Sequence, residues 1–177
     1  MMEELYLEHK DTEWPLESIN HDRNVVRAIT YDEDGFFYFV RVDRDDLFGK
    51  AKHIETVGSG VEEGEDLEEA LRCELKEELG ASIDIIAKIG VVSDFYNVIH
   101  RHNITNYYLC KVTSFGKTEM TPEEINEFHL TRAKLTYEEA VNEYERCNDT
   151  KIGRLICRRE LPVLKRAHDL MHDCRRP

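Results

Sequence analysis

Long apolar runs are missing from this sequence of 177 residues. No segment approaches the roughly 20 consecutive apolar residues that a membrane-spanning helix needs, so we expect no association with a membrane. The first residues also lack the features of a secretory signal, because Glu3 and Glu4 occupy the place of a basic start and no apolar segment follows them. These absences predict a soluble protein of the cytoplasm.

Cysteine pairs with metal-binding spacing are missing too. The five cysteines are an odd number, and none of them forms a C-x-x-C motif. This pattern favours reduced thiols over a disulfide framework or a zinc site. Internal repeats and low-complexity linkers are absent as well. With 41% apolar and 34% charged residues, the composition is typical of one globular domain with a sizeable core.

Positive charge is scarce in this chain. It has 24 Lys and Arg against 37 Asp and Glu, which gives a formal net charge of −13 at pH 7. This balance argues against non-specific binding to nucleic acid or to anionic membranes. A phosphate-bearing substrate would need bound cations or local basic groups, and a divalent metal ion would meet that need.

What the sequence has in abundance is carboxylates, and those between residues 58 and 81 form an informative pattern. Glu74, Glu77 and Glu78 are spaced i, i+3 and i+4, so they share one face if this segment is helical. Glu65 lies in the glycine-bounded loop that leads into the segment. Crowded like charges destabilise a helix unless a cation lies among them, and oxygen ligands suit Mg²⁺ or Mn²⁺. The alternative for any single glutamate is a solvated acidic face, but the whole arrangement predicts a metal-dependent phosphate site.

Local signals predict that this segment is a helix. Asp66 has the side chain of an N-cap, and Glu69 completes a pair of the capping-box type. Gly80 stands where a left-handed C-terminal cap is expected. The apolar residues recur at steps of three and four, which predicts one buried face; they are Leu67, Ala70, Leu71, Leu75 and Leu79.

At this point the segment resembles the Nudix box, Gly-x5-Glu-x7-Arg-Glu-U-x-Glu-Glu-x-Gly-U, in which U is a bulky aliphatic residue. The residues that match the pattern are Glu65, Glu74, Leu75, Glu77, Glu78 and Gly80. Three positions differ from it. Ser59 stands at the first glycine, Cys73 at the arginine and Ala81 at the last aliphatic residue.

The resemblance implies a fold and a reaction. The fold is α/β (α+β), with a mixed sheet sandwiched between helices. The reaction is pyrophosphohydrolysis, in which a diphosphate linkage in a nucleoside diphosphate derivative is cleaved with Mg²⁺ or Mn²⁺. The metal ligands would be Glu65, Glu74, Glu77 and Glu78. The general base would be Glu77, Glu78 or a glutamate of a later loop, for which we take Glu124 from the set Glu123, Glu124 and Glu127. Substrate contacts are expected from Glu55, Gly58, Ser59 and Gly60.

Cys73 leaves two other functions open. In the family, the arginine of the box pairs with a glutamate of the box, and a thiol cannot make this bidentate contact. Arg72 points about 100° away around the helix. The chain is therefore also a candidate for a nucleotide-binding module with weak or no turnover. A third reading, isomerisation of a prenyl diphosphate, would need a cysteine and a glutamate facing each other in the pocket. The substrate cannot be chosen from sequence among ADP-ribose, dinucleoside polyphosphates, nucleoside triphosphates and nucleotide sugars.

The predicted elements divide the chain into three parts. Residues 1–22 are a lead-in segment, residues 23–150 a Nudix-like domain, and residues 151–177 a helical extension packed on the same domain. The first and last parts are also candidate contacts of a homodimer.

Each part has its own predicted elements. In the extension, helices are expected over 151–160 and 162–173, with Pro162 opening the second. Elsewhere we expect a charged loop over 44–52 and a helix over 135–147 with Thr136 as its N-cap. Strands are expected over 24–31, 36–43, 53–56, 82–92, 104–113 and 126–131.

Overall fold

The computed structural model describes residues 3–173. Its strands are β1 (Leu5–His9), β2 (His21–Tyr31), β3 (Phe37–Asp46), β4 (Gly49–Glu55), β5 (Val57–Gly60), β6 (Ala81–Tyr96), β7 (Arg101–Phe115) and β8 (Thr131–Leu135). Its α-helices are α1 (Leu67–Leu79), α2 (Pro122–Asn126), α3 (Tyr137–Arg146) and α4 (Lys151–Asp173).

Within residues 3–173 the strands form one mixed sheet of eight strands. Its order is β1-β6-β7-β2-β3-β4, with β5 paired to β2 and β8 paired to β3. The pairs β1–β6 and β2–β7 are parallel, and the other pairs are antiparallel. The register of β2 with β7 begins at His21 opposite Arg101. The polar first residues of these two strands therefore lie side by side at one end of the sheet.

Helices cover both faces of this sheet. On one face, α1 packs its buried Leu71, Leu75 and Leu79 against residues of β2, β3 and β7. On the other face, α3 and α4 pack against a second apolar cluster that includes Ile29 and Leu109. The mixed sheet between helices that the family resemblance implied is thus confirmed.

The caps predicted for two helices are present. The Asp66 side chain accepts the backbone N–H of Glu69, and Gly80 ends α1 with φ of 67°, a conformation that costs glycine little. Thr136 and Glu139 form a complete capping box at the start of α3. These local contacts fix where α1 begins and ends, and so they fix the direction of its carboxylates.

Two segments differ from the sequence prediction. The charged loop expected over 44–52 is instead the end of β3 and the start of β4, joined by a two-residue turn. This hairpin is half-exposed and carries many charged residues, including the ion pair of Arg44 with Asp46. The charges obscure the alternation of apolar and polar residues by which a strand is recognised. The strand expected over 126–131 is also wrong. Thr121 and Glu124 form a capping box that starts α2, and β8 follows at Thr131.

The C-terminal residues form one helix where two were expected. α4 runs unbroken from Lys151 to Asp173 with Pro162 inside it. A proline within a helix leaves the carbonyl four residues earlier without its N–H donor, which here is the carbonyl of Arg158. At this turn, Nη2 of Arg158 donates to the carbonyl of Lys10, just after β1, at 2.6 Å. The helix continues because the apolar stripe of α4 is buried along the sheet.

The helix α4 packs an apolar face against the sheet. Its buried apolar residues include Ile152, Leu155, Ile156, Leu164 and Met171. Residues 174–177 of the expected extension lie outside the described residues. Near the other end of the chain, Leu5 and Leu7 of β1 pack against the same cluster. This strand was not predicted, because residues 1–22 show no clear periodicity.

Two observations concern the chemistry of the chain as a whole. None of the helices within residues 3–173 has the length and apolar content that crossing a membrane requires. Free thiols are found at Cys73, Cys110, Cys147 and Cys157, while Cys174 lies outside the described residues.

Candidate active site

A cleft of about 1080 Å³ lies between the helices and one end of the sheet. Of the predicted site residues, all but Glu65 line it: Glu55, Gly58, Ser59, Gly60, Glu74, Glu77, Glu78 and Glu124. Glu65 is exposed, and its carboxylate accepts the backbone N–H of Glu62 at 3.2 Å. The cleft therefore gathers carboxylates from α1 and α2 together with the glycine-containing strand β5.

Glu78 and Glu124 are brought into direct contact across the cleft. Glu78 is only 7% exposed, and burial raises its pKa to about 9, helped by a hydrogen bond to Glu124 and the charge of that residue. Burial raises the pKa of Glu124, but the hydrogen bonds that it accepts from Glu78 and Thr121 outweigh burial and hold this pKa below the usual value. The proton between the two carboxyl groups therefore belongs to Glu78, and Glu124 is ionised.

Glu74 adds a third carboxylate to this group. Burial raises its pKa, and the charges of Glu77 and Glu124 act in the same direction. A hydrogen bond with Ser59 opposes this shift by favouring the ionised form. Ser59, which replaces the first glycine of the box, thus holds a box glutamate. We refer to Glu74, Glu77, Glu78 and Glu124 as the carboxylate cluster.

The carboxylate cluster has the donor chemistry of a divalent-cation site. Its ligands are oxygens, and the Glu78 carboxyl keeps its proton at neutral pH because it is buried and its neighbours are negative. A hard cation such as Mg²⁺ would remove that repulsion. Within residues 3–173 no three His, Cys, Asp or Glu side chains are already arranged around one point. The chemistry of these residues therefore suits a divalent cation, but their carboxylates do not converge on one point in this structure.

The position of the missing box arginine is open to solvent. Cys73 is exposed, and Arg72 donates from Nη1 to the carbonyl of Ile83 at 2.7 Å, so it does not face the cleft. The cation that does act on the box is Arg27 of β2, since its charge lowers the pKa of both Glu74 and Glu78. Arg27 lies outside the box and was not among the predicted site residues.

A glycine makes room for Arg27. A Cβ atom added to Gly58 would lie 2.4 Å from Cγ of Arg27 and 2.1 Å from the carbonyl oxygen of Val26. Both distances are far inside van der Waals contact. The strand β5 can pass this close to β2 only because residue 58 has no side chain.

Arg27 is held from behind by a buried ionic network. Its Nη2 lies 3.1 Å from Oε1 of Glu55, and Nη2 of Arg159 donates to the same oxygen at 2.8 Å. Burial would raise the pKa of Glu55, but Arg27 and Arg159 overcome it and hold this pKa well below the usual range. Nη1 of Arg159 also donates to the hydroxyl of Tyr96 at 2.6 Å. Glu55 is therefore an ionised anchor for two arginines that line the cleft.

Glu160 extends the network into the core. It is 0% exposed, and its carboxylate accepts the backbone N–H and the hydroxyl of Thr56 at 2.7 and 2.6 Å. The hydroxyls of Tyr107 and Tyr144 also donate to it. These bonds fix α4 to the junction of β4 and β5, immediately before the glycine-containing strand.

A sequence signal for this network existed. Ile156, Arg159, Glu160 and Val163 follow the i, i+3, i+4, i+7 spacing of one helical face, so two charged residues interrupt an apolar stripe. Charged residues on such a face are buried only when they are paired. The splitting of α4 into two short predicted helices obscured this pattern.

The chain is similar to known proteins in its domain sequence and in its fold. The sequence model of the NUDIX domain matches residues 21–149. The fold is similar to that of a NUDIX hydrolase from Nitrosomonas europaea, with 17% identity, a TM-score of 0.62, and coverage of 89% of this chain and 93% of that one. It is also similar to a MutT NUDIX hydrolase from Burkholderia pseudomallei, with 16% identity, a TM-score of 0.54, and coverage of 68% and 87% respectively. At these identities the two structures show a shared fold alone. No curated protein matches the chain significantly.

Proposed function

The chain belongs to the NUDIX family, whose domain spans residues 21–149, and from this premise we propose that it is a pyrophosphohydrolase. Members of the family are hydrolases that act on nucleoside diphosphate derivatives. The proposed reaction is cleavage of a diphosphate linkage in such a compound with Mg²⁺ or Mn²⁺. The observation that supports it most is the contact of Glu78 with Glu124 inside the cleft. A carboxyl group as buried as that of Glu78, with a second carboxylate hydrogen-bonded to it, favours a bound cation.

We assign the metal-binding role to Glu74, Glu77 and Glu78. Glu65 is left out of the set because its carboxylate accepts the backbone N–H of Glu62 and does not line the cleft. When bound, a divalent cation would neutralise charge on the phosphates and favour ionisation of an attacking water. Glu124 is the proposed general base, because it is the ionised member of its pair and can accept a proton at its carboxylate.

Other residues of the cleft orient the substrate in this proposal. Arg27 is fixed by Glu55 and by its 2.6 Å hydrogen bond to the carbonyl of Thr56, so its charge is positioned before a phosphate arrives. Preorganised charge of this kind is what phosphoryl chemistry depends on. In this assignment Arg27 supplies positive charge to a box whose own arginine is replaced by Cys73.

A nucleotide-binding module without turnover is the second candidate. The observation in its favour is the exposed Cys73 at the arginine position, which leaves the box glutamates without their partner on the same helix. The isomerase reading has no such support, since no cysteine among residues 3–173 lines the cleft.

The test is product release from a panel of nucleoside diphosphate derivatives in the presence of Mg²⁺ or Mn²⁺. We expect metal-dependent turnover by the wild type that is lost in the double variant Glu77→Gln, Glu78→Gln. A matched control is Glu68→Gln, Glu69→Gln, which removes the same charge from exposed residues of the same helix and should not reduce turnover. Absence of turnover on every compound, with nucleotide binding that survives EDTA, would favour the binding module instead.

A further inference from the structure

Two arginines at one end of the cleft have no carboxylate in direct ion-pair contact. Within the described residues 3–173, Arg23 makes no hydrogen bond or ion pair, and Glu62 acts on it only through its charge. Arg101 donates from Nε to Nε2 of His21 at 3.1 Å and has no ion pair in the same range. Both side chains line the cleft. In a protein with a net charge of −13, unpaired cations inside a cleft indicate a site for an anion.

The strand pairing holds these two arginines close together. β2 and β7 run parallel, with His21 opposite Arg101 and Arg23 opposite Asn103. Residues two apart on a strand point to the same face, so Arg23 and Arg101 share the face that forms the cleft. Burial lowers the pKa of Arg23, and the charges of Arg101 and Arg27 lower it further, while the charge of Glu62 opposes this shift without cancelling it. The three cations repel one another, and a bound anion would relieve that repulsion.

A glycine fixes the position of the Arg23 guanidinium. A Cβ added to Gly60 would lie 2.1 Å from Nε and 2.3 Å from Nη2 of Arg23. The guanidinium therefore lies directly on the backbone of β5, where any other residue would displace it. Ser59, the preceding residue of β5, hydrogen-bonds with Glu74, so β5 connects Arg23 to the carboxylate cluster.

Asn103 gives an independent indication of a ligand. Its Oδ1 is buried and has no hydrogen-bond partner, although a buried amide without a partner costs free energy. Asn103 lines the same part of the cleft as the two arginines. An amide turned by 180° about its last bond presents N–H donors in place of the oxygen, which suits a phosphate oxygen.

We propose that Arg23, Arg101 and Asn103 form a subsite for a phosphate group of the substrate that lies beyond the linkage to be cleaved. Guanidinium groups match the geometry and charge of phosphate better than an amine does. The preferred substrates are then nucleotides whose phosphate chain continues past the cleaved linkage, such as nucleoside triphosphates. Nucleotide sugars, which carry an uncharged group there, are disfavoured. The substrate preference rests on the proposed hydrolase function, whereas the phosphate subsite itself does not.

The first experiment measures phosphate binding without any reaction. Inorganic tripolyphosphate is titrated calorimetrically in EDTA into the wild type and into Arg23→Gln, Arg101→Gln. We expect the double variant to bind about tenfold more weakly or worse, because charge-assisted hydrogen bonds are lost. The control Arg146→Gln, Lys165→Gln removes two exposed charges outside the cleft and should bind as the wild type does. Gly60→Ala keeps every charge but displaces Arg23, so it should also weaken binding.

The second experiment compares kcat/KM for a nucleoside triphosphate and for a nucleotide sugar with the same base. The ratio should favour the triphosphate in the wild type and in the control, and should fall about tenfold in Arg23→Gln, Arg101→Gln. Equal tripolyphosphate binding by wild type and double variant would overturn the subsite, even if the enzyme turns over nucleotides. Weaker binding by the double variant in a protein without turnover would support the subsite and reject the proposed function.

Discussion

Glu160 carries a carboxylate into the fully buried space between α4 and the sheet. It accepts hydrogen bonds from Thr56, Tyr107 and Tyr144, and Nε of Arg159 lies 3.6 Å from it. A buried charge is tolerated only when it is paired and its lone pairs are used. At the scale of single residues, the site therefore depends on a charge that never reaches the cleft.

We predict that Glu160→Gln lowers the free energy of unfolding by about 3 kcal/mol. The amide keeps the shape of the side chain, but its nitrogen cannot accept the hydrogen bonds, and the charge beside Arg159 is lost. Urea denaturation measures the change. Glu145→Gln is the matched control, because Glu145 is exposed on α3, and a similar small loss in both variants would refute the structural role given to Glu160.

The helix α4 shows how one element depends on another for its continuity. Pro162 removes a backbone donor from the middle of the helix, at a cost of about 3 kcal/mol in an isolated helix. Burial of the apolar stripe of α4 against the sheet offsets this cost. At the same turn, Nη2 of Arg158 donates to the carbonyl of Lys10, just after β1, at 2.6 Å. The first strand and the last helix therefore stabilise each other.

This contact predicts the effect of losing the Arg158 side chain. Arg158→Ala should lower the free energy of unfolding by about 1 kcal/mol, because the carbonyl of Lys10 loses its charged donor. Urea denaturation measures the change, with Arg146→Ala, at an exposed residue of α3, as the control. Equal losses in the two variants would mean that the contact of Arg158 with Lys10 does not stabilise the fold.

Over the whole molecule, charge is unevenly distributed, and basic residues of the C-terminal helix α4 form ion pairs with acidic residues elsewhere in the chain. Arg154 of α4 pairs with Glu13 of the N-terminal segment, and Arg159 pairs with Glu55 beside the cleft. The carboxylate cluster remains without a cationic side chain in direct contact within the described residues. Stability and function are therefore opposed at the cluster, since carboxyl groups gathered for a cation repel one another without it.

This opposition predicts the pH dependence of stability in EDTA. The pKa of Glu78 is about 9 in the folded protein and about 4.3 when unfolded. Its stabilising effect is therefore complete below about pH 4.3 and is lost as the pH rises through 9. The pKa of Glu55 is shifted downward, so its contribution is present above about pH 4.3 and is lost only as the pH falls.

We expect the free energy of unfolding of the wild type to fall by roughly 2 kcal/mol between pH 6 and pH 8 in EDTA. Glu78→Gln should have a flatter profile and be the more stable protein at pH 8. Mg²⁺ should restore stability at pH 8 in the wild type alone. Chemical denaturation across this pH range provides the measurement, with Glu68→Gln as a control that should follow the wild type. Parallel profiles for wild type and Glu78→Gln would contradict the assignment of the proton to Glu78.

The sequence by itself determined the helix α1, its two caps and the common face of Glu74, Glu77 and Glu78, because hydrogen bonds and spacings within a few residues control these features. It also determined the family, since that is carried by a short motif. Only the tertiary structure decided which residues complete the cleft. Arg23, Arg27 and Arg101 come from strands distant in sequence from the box, and they reach it through the pairing of β2 with β5 and β7.

The same distinction explains the errors in the prediction. The break expected at Pro162 follows from local backbone chemistry, and it was wrong because the apolar stripe of α4 is buried along a sheet whose strands are distant in sequence. The loss expected from Cys73 is likewise a local inference, and the structure adds a cation, Arg27, from another element. The local sequence pattern determines where a helix starts and which side chains share one of its faces. Contacts between elements determine whether the helix continues and which charged side chains come together. Those contacts depend on tertiary packing, which no short segment encodes.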